Sequence, residues 1–302
     1  MEYYIGIDIG GTSTTIGLVD QEGTILGREV VWIKEYADKA IEHFLDALCD
    51  SVGSLAQSNA VEISGIGIGA PNGNFYRGTI EYAPNMPWKQ VHEVASYIQE
   101  ELNCKTILTN DANAAAIGEK QFGAAKPFND YILMTLGTGL GTGIVSGGQV
   151  IYGHDGFAGE LGHSVVVPDG RDCTCGRKGC LEAYVSIRGL EQTYSELGGD
   201  ASISLKDLAE LARSGDDRAK EVYVKTGEWL GLKLADAATY TSPESVIFFG
   251  GIAQASDLFL PTVKETMEAN IHNLYSNKIQ LLTSDLPVND AAILGSAALV
   301  IE

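Results

Sequence analysis

Basic residues are scarce. The 302-residue chain carries 20 Lys and Arg against 40 Asp and Glu, a formal net charge of −20. That balance repels phosphate backbones and anionic lipid, which argues against nucleic acid and membrane surfaces as partners. No run approaches the roughly 18 apolar residues of a membrane span, and MEYYIGIDIGG lacks the basic and apolar regions of a secretory leader, so the chain reads as cytoplasmic. Proline is sparse, at 8 residues, and no low-complexity linker interrupts the chain, so any domain boundary is expected to be compact. Cysteine is limited to five residues, an odd number, with Cys173, Cys175 and Cys180 inside eight positions. In a reducing compartment that clustering points to a metal, not to disulfides. Two nucleotide signatures are also missing: no Lys-[Ser/Thr] closes a Walker A loop, and no G-x-G-x-x-G opens a helix.

Glycine, by contrast, is plentiful. Its 36 residues make up roughly 12% of the chain, against about 7% in an average protein. The length suits two domains or one large α/β domain. The first third reads as three strands, Tyr3 to Asp8, Thr15 to Asp20 and Ile25 to Ile33. A helix is expected from near Tyr36, then the strand Ile63 to Gly69, a helix over Val91 to Leu102, the strand KTILTN, and a helix opening at Asp111. A second cycle starts at Asp130 with YILMTLGTGLGTGIVSGG, similar in kind to IGIDIGGTSTTIGLVD and offset from it by 127 positions if Gly137 is set against Gly10. Two β-turn-β units, each beginning a domain, fit a duplicated α/β architecture. Further on, helices are expected over Leu205 to Arg213, Lys220 to Tyr240, Leu258 to Tyr275 and Ala291 to Ile301, with SVIFFGG as a buried strand.

Several segments carry candidate chemistry. In DIGGT, glycines let backbone N–H groups approach a phosphate, Thr12 adds a hydroxyl and Asp8 could hold Mg²⁺; the same residues also suit a plain hairpin turn. LGTGLGTG, from Leu136 to Gly143, repeats that chemistry and suggests a second clamp on one polyphosphate. Gly250 and Gly251 end an apolar strand, where a base or ribose could rest, or where the strand simply turns into a helix. Asp111 in NDANAAA is either a helix N-cap or a general base, with Asn110 and Asn113 supplying amides. His163, Cys173, Cys175 and Cys180 form the Cys₃His set of a closed, structural zinc site. Glu160 and Glu182 each lie within three residues of a proposed ligand, so the metal would fix their positions.

Taken in order, DIGGT, NDANAAA, LGTGLGTG, GELGH with CTCGRKGCLE, and FFGGI resemble the ROK family of sugar kinases and transcriptional repressors over nearly the whole chain. The resemblance implies an actin-like ATPase (ribonuclease H-like) duplicated fold, two α/β domains with an interdomain cleft. Residues 1–113 with 290–302 would form the smaller domain, and 114–289 the larger one carrying the zinc insertion. It implies ATP and Mg²⁺, structural Zn²⁺, a hexose acceptor reacting at O6, and a homodimer or homotetramer. Asp111 matches the family's catalytic base, and Asn85, Asn110, Glu160, His163 and Glu182 its sugar ligands. Gly10, Gly11, Thr12, Gly137, Thr138 and Gly139 match the phosphate turns, and Gly250 and Gly251 the adenosine segment. GAPNG departs from the family's usual G-x-P-G, with Asn72 where glycine is frequent and Gly73 after it. Glucose is the expected sugar, with N-acetylmannosamine, N-acetylglucosamine, fructose or allose as alternatives. The family's repressors carry a helix-turn-helix ahead of the DIGGT strand; this acidic chain starts on that strand and so reads as a kinase.

Overall fold

A computed structural model describes residues 2–200, 202–288 and 290–301. The chain divides into two compact units. The first comprises Met1–Pro127, Val150–Ala158 and Asp285–Glu302, and the second Phe128–Gln149 and Gly159–Ser284.

In the first unit, β1 (Tyr3–Ile9), β2 (Ser13–Asp20) and β3 (Ile25–Trp32) form the expected antiparallel meander, followed by α1 (Ile41–Asn59) and β4 (Ile63–Ala70). The helix begins at Ile41, not near Tyr36, because residues 33–35 form a 3₁₀ turn. Three short strands follow, β5 (Gly73–Asn74), β6 (Thr79–Glu81) and β7 (Val91–Glu93), then α2 (Val94–Leu102), β8 (Thr106–Asn110) and α3 (Asp111–Gln121). Residues 91–93, expected to open a helix, instead pair with β6, Thr79 standing opposite Glu93. Sheet pairing overrides the local helical pattern there.

The sheet runs β3-β2-β1-β4-β8, with β1, β4 and β8 parallel. Period-two alternation splits its faces. Ile5, Ile7, Ile9, Ile66 and Ile68 join Phe44 and Leu48 of α1 in one core. The opposite face carries a row of glycines between the side chains of Tyr4 and Val19 and the rest of the sheet. Register places Gly17, Gly6 and Gly67 side by side across β2, β1 and β4. A Cβ at Gly6 would overlap the carbonyl oxygen of Ile293, and one at Gly67 that of Ser296. Both belong to the helix that ends the chain, Ala291–Ala297.

The second unit repeats the plan. β9 (Tyr131–Leu136) and β10 (Leu140–Ser146) form an antiparallel hairpin, with β11 (Gln149–Val150) beyond it. The helices α4 (Glu182–Val185), α5 (Ile187–Glu196), α6 (Leu205–Ser214) and α7 (Asp217–Thr241) lead to β12 (Ser245–Phe249), α8 (Ser256–Asn270) and β13 (Gln280–Thr283), and α9 (Ala291–Ala297) closes the chain in the first unit. The order β11-β10-β9-β12-β13, with β9, β12 and β13 parallel, matches that of the first sheet. On α7, Gly227 and Gly231 recur one turn apart, and Cβ atoms there would lie 2.6 Å from Thr262 and 2.7 Å from Thr266, so α8 packs nearly backbone to backbone.

A boundary after residue 113, as expected from the sequence, differs from the division into compact units. It would cut α3, whose Gly118 meets Gly295 of α9 so closely that a Cβ would stand 2.6 Å from the Gly295 Cα. The first unit therefore keeps all of α3, regains the chain at Asp285 and also takes in Val150–Ala158. Among the described residues no helix is long and apolar enough to cross a membrane.

Candidate active site

β8 passes into α3 without a connecting loop. Asn110, its last residue, caps the helix, its side-chain oxygen accepting from the Ala112 N–H at 2.9 Å. The capping role thus falls to Asn110, while Asp111 is the first helical residue and is exposed. The cap engages the Asn110 oxygen, so its NH₂ is the end left to meet a ligand. Asn113 does not reach that position; it is buried at 2% exposure, its side-chain oxygen unpartnered among the described residues.

Asp8 lies beside this helix start. Register pairs it with Gly69, and a Cβ on Gly69 would sit 3.6 Å from the Asp111 Cα. Burial, and then the Asp111 charge, push the Asp8 carboxyl from 3.8 up to about 6. Two carboxylates sharing so small a volume repel, and a divalent cation is the simplest relief.

In the DIGGT turn, the Gly10 N–H donates to the Ser13 carbonyl at 3.0 Å, and the Gly137 N–H likewise to the Gly139 carbonyl at 3.0 Å. These two N–H groups close their turns. The N–H groups of Gly11, Thr12, Thr138 and Gly139 have no protein acceptor among the described residues.

Gly11 abuts Asn85, where a Cβ would stand 3.0 Å from the Asn85 Cβ. The Asn85 loop is anchored by buried Met86 and by Trp88, whose indole donates to the Lys39 carbonyl at 2.9 Å and stacks on Phe44 at 5.1 Å. Gly11, Thr12 and Asn85 line a cavity of about 430 Å³ together with Lys34 and Lys89. Sequence reading missed those two lysines, although the scarcity of positive charge makes any pair notable. Asn72 adopts φ 51°, a left-handed conformation that asparagine tolerates, and donates to the Glu81 carbonyl at 3.0 Å. A Cβ at Gly73 would overlap the Thr109 carbonyl. Both residues of the altered GAPNG loop therefore have backbone duties.

In the second unit GELGH lies along β10. A Cβ on Gly159 would stand 2.7 Å from the Thr142 carbonyl oxygen, and one on Gly162 2.6 Å from that of Leu140. Those two glycines bring Glu160 and His163 down beside the strand. The His163 Nε2 lies 3.8 Å from a Glu160 oxygen, while its Nδ1 lies 3.6 Å from the Cys173 sulfur. Burial raises the Glu160 carboxyl, His163 opposing and the Glu182 charge adding to the rise.

The donor atoms of His163, Cys173, Cys175 and Cys180 all fall within 4.8 Å of one another. The Cys175 and Cys180 sulfurs are 3.7 Å apart. A tetrahedral zinc with Zn–S of about 2.3 Å and Zn–N of about 2.0 Å gives edges of roughly 3.8 Å for S···S and roughly 3.5 Å for S···N. The Cys175–Cys180 and Cys173–His163 spacings lie close to those edges, and the Cys₃His donor set fits zinc. Burial and the neighbouring thiols push the Cys180 thiol up to about 12, and a bound cation would hold it as the thiolate.

Gly250 and Gly251 follow β12. Gly250 has φ 102°, and a Cβ there would overlap the Leu136 carbonyl, which brings this turn against the end of β9 where the Gly137 turn begins. Nothing lies within 4 Å of a Cβ at Gly251, leaving open backbone beside it.

Residues 4–302 match the ROK family. The chain belongs to it. The ROK chain is 36% identical over 279 residues to the glucokinase of Streptomyces coelicolor, covering 87% of this chain and 86% of that one. The crystal structure of a ROK family glucokinase from Streptomyces griseus, in complex with glucose and AMPPNP, has a TM-score of 0.80 and 34% identity, covering 98% of each chain. The family is not confined to kinases: the xylose repressor of Bacillus subtilis is 30% identical over 301 residues, covering 99% of this chain and 77% of the repressor. The fold is the actin-like ATPase fold of ROK structures, and the doubled sheet order accords with it.

Proposed function

We propose that this ROK chain, an ATP-dependent sugar kinase, transfers the γ-phosphoryl group of ATP to the C6 hydroxyl of glucose. Its likeness to glucokinases supports the choice of sugar. The observation that carries the chemistry is Asp111, an exposed carboxylate on the first turn of α3 whose helix is capped by its neighbour. It shares the Ala112 N–H with the capping Asn110 and serves as the base that takes the hydroxyl proton.

Asn85, Asn110, Glu160, His163 and Glu182 orient the sugar by hydrogen bonds to its hydroxyls. The N–H groups of Gly11, Thr12, Thr138 and Gly139 bind phosphate oxygens, with Gly10 and Gly137 shaping the turns, and the Gly250–Gly251 backbone supports the nucleoside. Asp8 would hold Mg²⁺, which supplies charge neutralisation on the β- and γ-phosphates when bound. His163 Nδ1 and the three cysteine sulfurs would hold a structural zinc, which leaves His163 Nε2 to face the sugar. Metal analysis of the purified protein should give one zinc per chain; substantially less would contradict this assignment. Domain boundaries follow the two compact units.

The Asp8 carboxyl also makes a prediction about stability. Its folded value of about 6 exceeds the ordinary 3.8, so the native state binds more protons between those limits. Stability contributed by this group is therefore highest at low pH and falls as pH rises through about 6. Asp8→Asn should melt above the parent at pH 8, with the difference gone by about pH 4, and should lose phosphoryl transfer. An equal melting temperature at pH 8 would refute the reading of Asp8 as a buried, repelled carboxylate.

A coupled ADP-release assay over glucose, mannose, fructose, allose, N-acetylglucosamine and N-acetylmannosamine tests the function. Glucose is expected to give the highest kcat/KM. Another sugar leading the panel would overturn the choice of acceptor, and no turnover with any of them would overturn the reading altogether.

A further inference from the structure

Glu182 has its two carboxylate oxygens engaged on different elements. Oε1 accepts from the Thr174 hydroxyl at 2.9 Å, on the cysteine knuckle between Cys173 and Cys175. Oε2 accepts from the Leu140 N–H at 3.1 Å, where the 137–139 turn runs into β10. Gly139 leaves room for this approach: a Cβ there would stand 2.8 Å from Oε2. The other end of the turn is fixed by the next helix, α5, since the Ile187 N–H donates to the Gly137 carbonyl at 2.9 Å. The turn is thus pinned at both ends, and Glu182 depends in its orientation on a hydroxyl carried by the knuckle.

We infer that Thr174 is a positioning residue for the donor nucleotide: through Glu182 it couples the cysteine knuckle to the turn whose N–H groups bind phosphate. The inference rests on the reading of residues 137–139 as a phosphate turn. A hydrogen bond to a carboxylate is among the stronger kinds, and without it Glu182 can swing toward solvent and release Leu140. Nothing in the sequence pattern singled out Thr174, because it stands at the unconstrained position between two cysteines. Oε1 also lies 3.8 Å from the Cys173 sulfur, while Oε2 retains a further lone pair, so the coupling is compatible with a sugar hydroxyl bonding there as well.

The test uses the full-length protein, Thr174→Val and Thr174→Ser. Thr174 is exposed, so both variants should fold. Three quantities are read: binding of a non-hydrolysable ATP analogue with Mg²⁺ by calorimetry, zinc content, and KM and kcat. Thr174→Val is expected to keep its zinc and weaken analogue binding about tenfold, the scale of one charge-assisted hydrogen bond. KM for ATP should rise in parallel with kcat within about twofold, and Thr174→Ser should behave as the parent. Parent-like analogue binding by a zinc-loaded Thr174→Val would overturn the inference. So would loss of zinc in that variant, which would make Thr174 a support of the knuckle alone, or a rise confined to the sugar KM. A parent that binds the analogue but phosphorylates no sugar would refute the proposed function and leave the binding comparison to decide this point.

Discussion

Asp111→Asn should fold as the parent does and lose about 10²- to 10⁴-fold in kcat, the range general-base catalysis contributes. The two effects separate because the residue's structural duty is small. Asn110 provides the cap, and the Asp111 oxygen that accepts from the Ala112 N–H at 2.8 Å is retained in asparagine. What the helix loses is a favourable charge at its N-terminus, worth about 0.3–1 kcal/mol. Removal of the charge also relieves Asp8, whose raised carboxyl owes part of its shift to Asp111. A melting temperature near the parent's with turnover nearly abolished is the expected pair of results. Retained turnover would mean that another group takes the proton.

Gly67→Ala should instead destroy stability while touching no proposed ligand. Its new methyl would overlap the Ser296 carbonyl, a backbone atom that cannot rotate away. Either α9 lifts from the sheet or the strand distorts, at a cost of roughly 3 kcal/mol or more. Lifting the helix exposes the small apolar cluster of Tyr4, Val19, Ile293, Ala297 and Val300. Gly53 supplies the control. It lies within α1 with nothing within 4 Å of an added Cβ, so Gly53→Ala should gain about 0.5–1 kcal/mol from helix propensity. Denaturant melts of the two variants check both signs. A Gly67→Ala protein as stable as the parent would mean that α9 does not depend on close backbone approach.

The glycine surplus shows how far sequence could be read. Glycine turns at Gly10, Gly137 and Gly250 were visible as motifs, because a turn leaves its glycines adjacent in the chain. The row of Gly17, Gly6 and Gly67 was not, since it exists only in the register of three strands. The meander, the second hairpin and the parallel strands followed from period-two patterns that pairing then reinforced. Where pairing opposed the local pattern, as at Val91–Glu93, the reading failed. The helix Ile187–Glu196 is not among the expected elements; it is capped by Ser186 and held by the half-buried Arg171 guanidinium, which donates to the Gly189 carbonyl at 3.0 Å and to Thr193 at 2.9 Å.

The candidate site was more legible than the packing beneath it. Cysteine spacing gave a four-donor cluster whose atoms do converge. Asp111 stood out by its place after a buried strand, yet only coordinates separate its role from that of Asn110. Likewise, no spacing rule indicates that Gly159 and Gly162 exist to lay Glu160 and His163 against β10, or that Glu182 reaches Leu140. These are contacts between segments distant in the chain, made by small residues or by backbone.

Phosphoryl transfer from ATP to C6 of a hexose is read by ³¹P NMR of the products after incubation with glucose, ATP and Mg²⁺. ADP and glucose 6-phosphate are expected in equal amounts; inorganic phosphate in place of a sugar phosphate, or a phosphate on another hydroxyl, would show that C6 of glucose is not the acceptor.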